Sequence, residues 1–137
     1  MRGRRASQPG TDRWQRADWW GVVLSCPDAK ALATFYSELL GWPLWKPEEA
    51  DENDAVLDLG EGVGYLSFQH DPDFAPPAWP GELGRQRMTM HLDFEVSELA
   101  VSVEHALELG ARLADHQPQG DVRVLLDPAG HPFCLYA

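Results

Sequence analysis

The chain has 137 residues, 44% of them apolar, and a net charge of −11. Such a length supports one domain with a buried core. The acidic balance argues against nucleic acid as the main partner, because phosphate binding needs clustered Lys and Arg, and no apolar run approaches the ~20 residues that span a bilayer.

The charge is unevenly spread. Residues 1–16 hold Arg2, Arg4, Arg5, Arg13 and Arg16 against Asp12, a net of +4 that leaves −15 on the rest of the chain. The twin arginines have no apolar stretch behind them, so the tail does not read as a secretion signal. Residues 1–17 are expected to be a basic, disordered leader, with an electrostatic tether to an acidic partner as the alternative.

The domain, residues 18–137, reads as two modules. WWGVVLSC (19–26) is apolar and β-branched, the pattern of a strand. Pro27 and Asp28 then open a helix, since Pro is tolerated in a first turn and an acid suits the helix dipole. Leu32, Phe35, Tyr36, Leu39 and Leu40 form one buried helical stripe, and Gly41 supplies a C-terminal cap. Strands are expected at WPLWK (42–46), AVLDL (55–59) and GYLSFQ (64–69), which closes module 1 at residue 69. Residues 70–87 contain four prolines and resist regular structure, the signature of a linker. Trp79 within it either packs a module or subunit seam, or walls a ligand pocket.

Module 2, residues 88–137, repeats the order. MTMHLDFEV (88–96) contains a strand. SELAVSVEHALELG is a helix with Ser97 as the expected N-cap and Gly110 at its end. ARLADHQ (111–117), DVRVLL (121–126) and PFCLY (132–136) follow as strands, and Asp127-Pro128-Ala129-Gly130 has the residues of a type I turn. Gly41 and Gly110 lie 69 residues apart, and a repeat of that size constrains architecture strongly. Cys26 and Cys134 are the only cysteines. Without an export signal they suggest reduced thiols and a cytoplasmic protein.

These residues resemble the vicinal oxygen chelate superfamily, which includes the glyoxalase and bleomycin-resistance proteins. The resemblance covers residues 18–137. It rests on VVLSCPDAKALATFYSELLGW in module 1, and on HLDFEVSEL, ELGARL and DPAGHPFCLYA in module 2. FYSELLGW with DPAGHPFCL looks most like the glyoxalase-like domain branch. The resemblance implies an α+β fold: two tandem βαβββ modules forming a U-shaped partial barrel, helices outside and ligand inside. It also implies that a homodimer is common. Its members include metal-dependent isomerases, lyases and dioxygenases, thiol transferases, and metal-free binders.

A helix on one face of each sheet gives the alternation a direction. Leu92, Phe94 and Val96 should meet the helix, leaving His91, Asp93 and Glu95 for the cavity. The repeat pairs Gly21 with His91, Val23 with Asp93 and Ser25 with Glu95. Trp20, Val22 and Leu24 then fall on the helix side and Trp19 on the cavity side. Cys134 joins the cavity if it keeps the family's ligand-strand direction. The expected ligand-binding set is Trp19, Val23, Gln69, Trp79, His91, Asp93, Glu95 and Cys134. Trp19, Trp45 and Trp79 are candidates to stack on a flat ligand.

Metal-using relatives draw four ligands from the first and last strands of both modules. Here His91 fits one position, but Gly21 (or Val22) offers no donor at its counterpart. Cys134 stands where Glu is usual, and Gln69 or Ser67 is all that module 1's last strand provides. No metal and no cofactor are therefore expected. The alternative is a divalent ion on His91, Gln69 and Cys134, with Asp93 orienting His91. Without a metal, His91 is either a ligand-facing acid–base group with Asp93 or a structural residue. Cys134 is either a nucleophile or a buried inert thiol. His131 is either a turn residue bonded to local backbone or a residue at the pocket mouth.

The expected function is small-molecule binding of the glyoxalase/bleomycin-resistance type, without a complete metal site. The alternative is a lyase, isomerase or dioxygenase that uses His91 in a sparse metal site or as an acid/base. A partner-binding domain with a vestigial cavity is the third reading.

Overall fold

The computed structural model describes residues 20–60 and 64–137, so the basic tail and Trp19 lie outside the described residues. The elements run β1 (Trp20–Cys26), α1 (Ala29–Leu40), β2 (Asp54–Leu57), β3 (Gly64–His70), β4 (Leu92–Glu95), α2 (Leu99–Glu108), β5 (Arg112–Leu113), β6 (Val122–Leu126) and β7 (Pro132–Tyr136). They form two mixed sheets, ordered β1-β3-β2 and β4-β7-β6-β5, and no closed barrel among the described residues.

The repeat is visible in the pairing. β1 runs parallel to β3 as β4 does to β7, and β3 is antiparallel to β2 as β7 is to β6. The modules differ at one place. Residues 42–46 form no strand, only a single bridge from Leu44 to Leu57. The equivalent residue, Leu113, is in the short β5 and faces Leu125. Lys46 has a left-handed φ of 49°, which turns the chain out of extended geometry just after that bridge. Residues 111–117 likewise shrink to the two residues of β5.

Both helices end as their glycines require. Gly41 has φ 68° and Gly110 φ 105°, conformations costly for any side chain. At the start of α1, the Asp28 carboxylate accepts from Ala31 N at 2.8 Å. At the start of α2 the expected Ser97 cap is not made. Glu98 is the N-cap and forms no side-chain cap bond; a carboxylate one methylene longer than Asp is less suited to fold back onto the first turn.

α1 holds the modules together. Tyr36 stacks on Phe68 of its own sheet at 5.6 Å and meets Phe133 of the other sheet edge-on at 6.0 Å. Phe35 also meets Phe133, and Trp42 meets Phe94. Such aromatic pairs contribute about 0.5–1.5 kcal/mol each beyond area burial. Val22 and Leu24 pack against this core, as do Leu92, Phe94 and Val96, so the helix-facing side of both sheets is as expected. Trp20 is the exception, at 63% exposed. It begins β1, and its indole lies beside Gly64 instead of the core.

Candidate functional site

The sheet face turned away from the helices carries the polar half of module 2. Asp93 and Cys134 are direct cross-strand partners on β4 and β7. His91 precedes Asp93 by two residues and so shares its face. Their polar atoms converge: a ring nitrogen of His91, an Asp93 carboxylate oxygen and Cys134 Sγ all lie within 4.8 Å of one another. His91 Nε2 is 3.2 Å from Asp93 Oδ1. Glu95, in register with Tyr136 further along β4, is exposed and stands outside this group.

Burial and the carboxylate act on the thiol in the same direction. Burial, then hydrogen bonding to Asp93 and its charge, push Cys134 up to about 11. A thiol held protonated is a poor nucleophile, yet Cys134 is only half-buried and lines a pocket, unlike the fully buried Cys26. Cys26 is also raised to about 11, by burial first.

A pocket of about 180 Å³ opens beside the group, lined by Trp79, Met88, His91, Val122, Val124 and Cys134 among others. Its floor is the outward face of β6 and β7, and its wall comes from the linker. The wall is anchored, because Trp79 Nε1 donates to His116 O at 3.1 Å and the two rings lie 5.8 Å apart. Trp79 thus both packs on module 2 and lines the pocket. A larger cleft of about 340 Å³ runs between β1 and the linker, lined by Val23, Ser25, Asp71, Phe74, Met90 and His91 among others. His91 borders both spaces.

The expected set is thus divided. His91, Trp79 and Cys134 share the smaller pocket, with Asp93 bonded behind them; Val23 lies in the larger cleft. Gln69 is exposed on β3 in the other sheet, in register with Ser25, and lines neither space. Trp45 is near Lys46, whose ammonium sits 4.9 Å from its ring.

The two-module metal arrangement does not fit these residues. The position opposite His91 in the repeat is Gly21, and a Cβ there would come within 2.4–2.6 Å of the Tyr65 ring. The ring occupies the space that a donor side chain would need. Tyr65 itself carried no periodic or motif signal, and only the parallel register of Gly21 with Tyr65 reveals it.

His131 reaches much further than a local turn contact. Its Nε2 lies 2.8 Å from Ser25 O across the modules, and its ring packs on Phe74 at 5.0 Å. His105 contacts Glu38 O, linking the two helices.

A family model for the glyoxalase-like domain matches residues 21–136. No curated protein matches the sequence. Among solved structures, a glyoxalase/bleomycin resistance protein/dioxygenase family enzyme from Burkholderia phytofirmans PsJN aligns with a TM-score of 0.62 at 18% identity, covering 84% of this chain and 94% of that one. A possible glyoxalase from Bacillus cereus aligns at 0.60 and 14% identity, over 89% and 100%. A glyoxalase-related enzyme from Fulvimarina pelagi aligns at 0.60 and 20% identity, over 88% of each chain. These likenesses concern the fold. With the family match spanning both modules, the chain belongs to the glyoxalase-like domain family of the vicinal oxygen chelate superfamily.

Proposed function

We propose that this protein binds a small organic molecule in the pocket of module 2, as a glyoxalase/bleomycin-resistance-type binder without the two-module metal quartet. The observation that carries the reading is the pocket itself: an apolar floor of Val122 and Val124, an anchored indole wall, and the His91 imidazole and Cys134 thiol at one side. Apolar concavities with a few convergent polar groups are the usual form of ligand sites. His91 supplies the hydrogen-bonding contact and Trp79 the flat surface.

Thermal-shift screening of a library of small aromatic and heteroaromatic metabolites, in chelator-treated protein, tests this. A ligand that prefers the native state raises apparent stability by mass action. The reading expects hits whose shift disappears in Trp79→Ala. Hits unaffected by that change would count against it.

A second reading, an enzyme of the same superfamily, draws on the His91–Asp93 pair at 3.2 Å. A carboxylate bonded to an imidazole can orient it for proton transfer. The expected partner is a second copy of the chain. Among the described residues β1 and β4 each pair on one side only, and Trp20, Val23 and Met90 are exposed near those edges. No helix among the described residues is long and apolar enough to cross a membrane. A cytoplasmic location is proposed from the two free thiols.

A further inference from the structure

The larger cleft, of about 340 Å³, adjoins the module 2 pocket but is built differently. We infer that it is a separate binding site for a small, elongated zwitterion, whose amine end meets Asp71, Asp73 and Phe74 and whose carboxylate end meets Arg87. The inference goes beyond the ligand-binding reading of the smaller pocket and does not depend on it.

The cleft follows the edge of β1. Val22, Val23, Leu24 and Ser25 all line it. Successive strand side chains point to opposite faces, so four consecutive residues border one space only where that space runs along the strand's edge. β1 pairs with β3 on its other side and with no strand here among the described residues. The opposite wall is the linker, in two stretches, residues 71–77 and 86–90. His131 stands at the first stretch. Its Nε2 donates to Ser25 O at 2.8 Å, and its ring packs on Phe74 at 5.0 Å.

The two stretches bring opposite charges to one concavity and hold them apart. Asp71 and Asp73 come from the first, Arg87 from the second. Among the described residues none of the three makes an ion pair. Asp71 Oδ1 accepts from Asp73 N at 3.0 Å, and the Asp73 carboxylate itself is left unbonded among the described residues. A ligand of one sign would be repelled at one pole, whereas separated charges of both signs complement both. Arg87 can grip a carboxylate through two N–H groups. A protonated amine gains from the carboxylates and from the Phe74 ring face. Between the poles Met88 and Met90 line the cleft, and their flexible thioethers suit an apolar spacer.

A matched charge series tests this: para-aminomethylbenzoate, benzylamine, benzoate and benzyl alcohol, each titrated into the chelator-treated full chain and followed by two-dimensional NMR. The expected result is saturable shifts centred on Phe74, Met90 and His131, with the zwitterion binding tightest and the alcohol weakest. Arg87→Gln should weaken the zwitterion and benzoate about two- to fivefold, the range for exposed charge pairs, and leave benzylamine no weaker. Asp73→Asn should weaken the zwitterion and benzylamine by a similar factor and leave benzoate no weaker. Both residues are exposed, and circular-dichroism melts establish that each variant is folded. No binding of the zwitterion would overturn the inference. So would benzyl alcohol binding as tightly as the zwitterion, or equal losses of benzylamine and benzoate in either variant. Trp79 does not line this cleft, so Trp79→Ala should preserve the ranking, and a series lost in that variant would also overturn the inference. Hits in the smaller pocket depend on Trp79 and this series does not, so either reading can fail while the other stands.

Discussion

The Tyr36 hydroxyl donates to Asp127 Oδ2 at 2.9 Å, joining α1 of module 1 to the β6–β7 turn of module 2 across 91 residues of sequence. Asp127 is 1% exposed. Its other oxygen accepts from the backbone N–H groups of Ala129, Gly130 and His131, so the same carboxylate shapes the turn and pins the modules. Removing the hydroxyl in Tyr36→Phe strands a buried acceptor. The expected loss is about 1–3 kcal/mol in denaturant unfolding, with a larger loss in Asp127→Ala, where the turn also loses its bonds.

The same carboxylate sets a pH dependence. Burial raises Asp127 above its ordinary 3.8, against the opposing pull of His131 and the backbone bonds. A raised carboxylate favours the protonated folded state, so its contribution to stability is full below 3.8 and is lost as pH rises through the folded value. Asp127→Asn cannot titrate. The stability of the wild type relative to Asp127→Asn is therefore expected to fall as pH rises from about 4, a difference that urea melts at several pH values would measure.

Gly21 is required by Tyr65. A Cβ on residue 21 would meet the ring at 2.4–2.6 Å, and overpacking costs about 1–3 kcal/mol where neighbours cannot yield. Gly21→Ala should destabilise the protein, and Tyr65→Ala should remove most of that penalty. A double-mutant cycle reads the coupling directly. Additive effects would show that the ring simply swings aside.

Cys134 should react slowly with iodoacetamide at neutral pH, because burial and Asp93 hold it protonated, at about 11. Asp93→Asn removes the negative charge, so the thiolate fraction and the alkylation rate at Cys134 should rise. Burial, the larger cause, persists, and the rate should stay below that of a free thiol. Site-resolved mass spectrometry separates Cys134 from Cys26.

Much of the fold was written in local pattern. The helical stripe of α1, its Asp28 and Gly41 ends and the Asp127–Gly130 turn all depend on residues close in sequence, and the structure has them. What local pattern missed depends on distant partners. Residues 42–46 alternate like a strand yet find only one bridge. Trp20 keeps strand phase but lies beyond the core. At the site, alternation placed His91 and Asp93 on one face, whereas the approach of Cys134 to Asp93 needed the β4–β7 register. Gln69, offered by module 1's last strand, lies on that sheet and lines neither cleft. The Tyr65 ring over Gly21 has no trace in either residue's neighbours.

The central claim is that ligand enters the module 2 pocket between Trp79 and the β6–β7 face. The most direct measurement is a two-dimensional NMR titration of labelled, metal-free protein with the strongest thermal-shift hit. The account predicts saturable shifts centred on the Trp79 indole N–H, His91, Val124 and Cys134, with Gln69 and Glu95 unmoved. Shifts centred on β3, or none near Trp79, would contradict it.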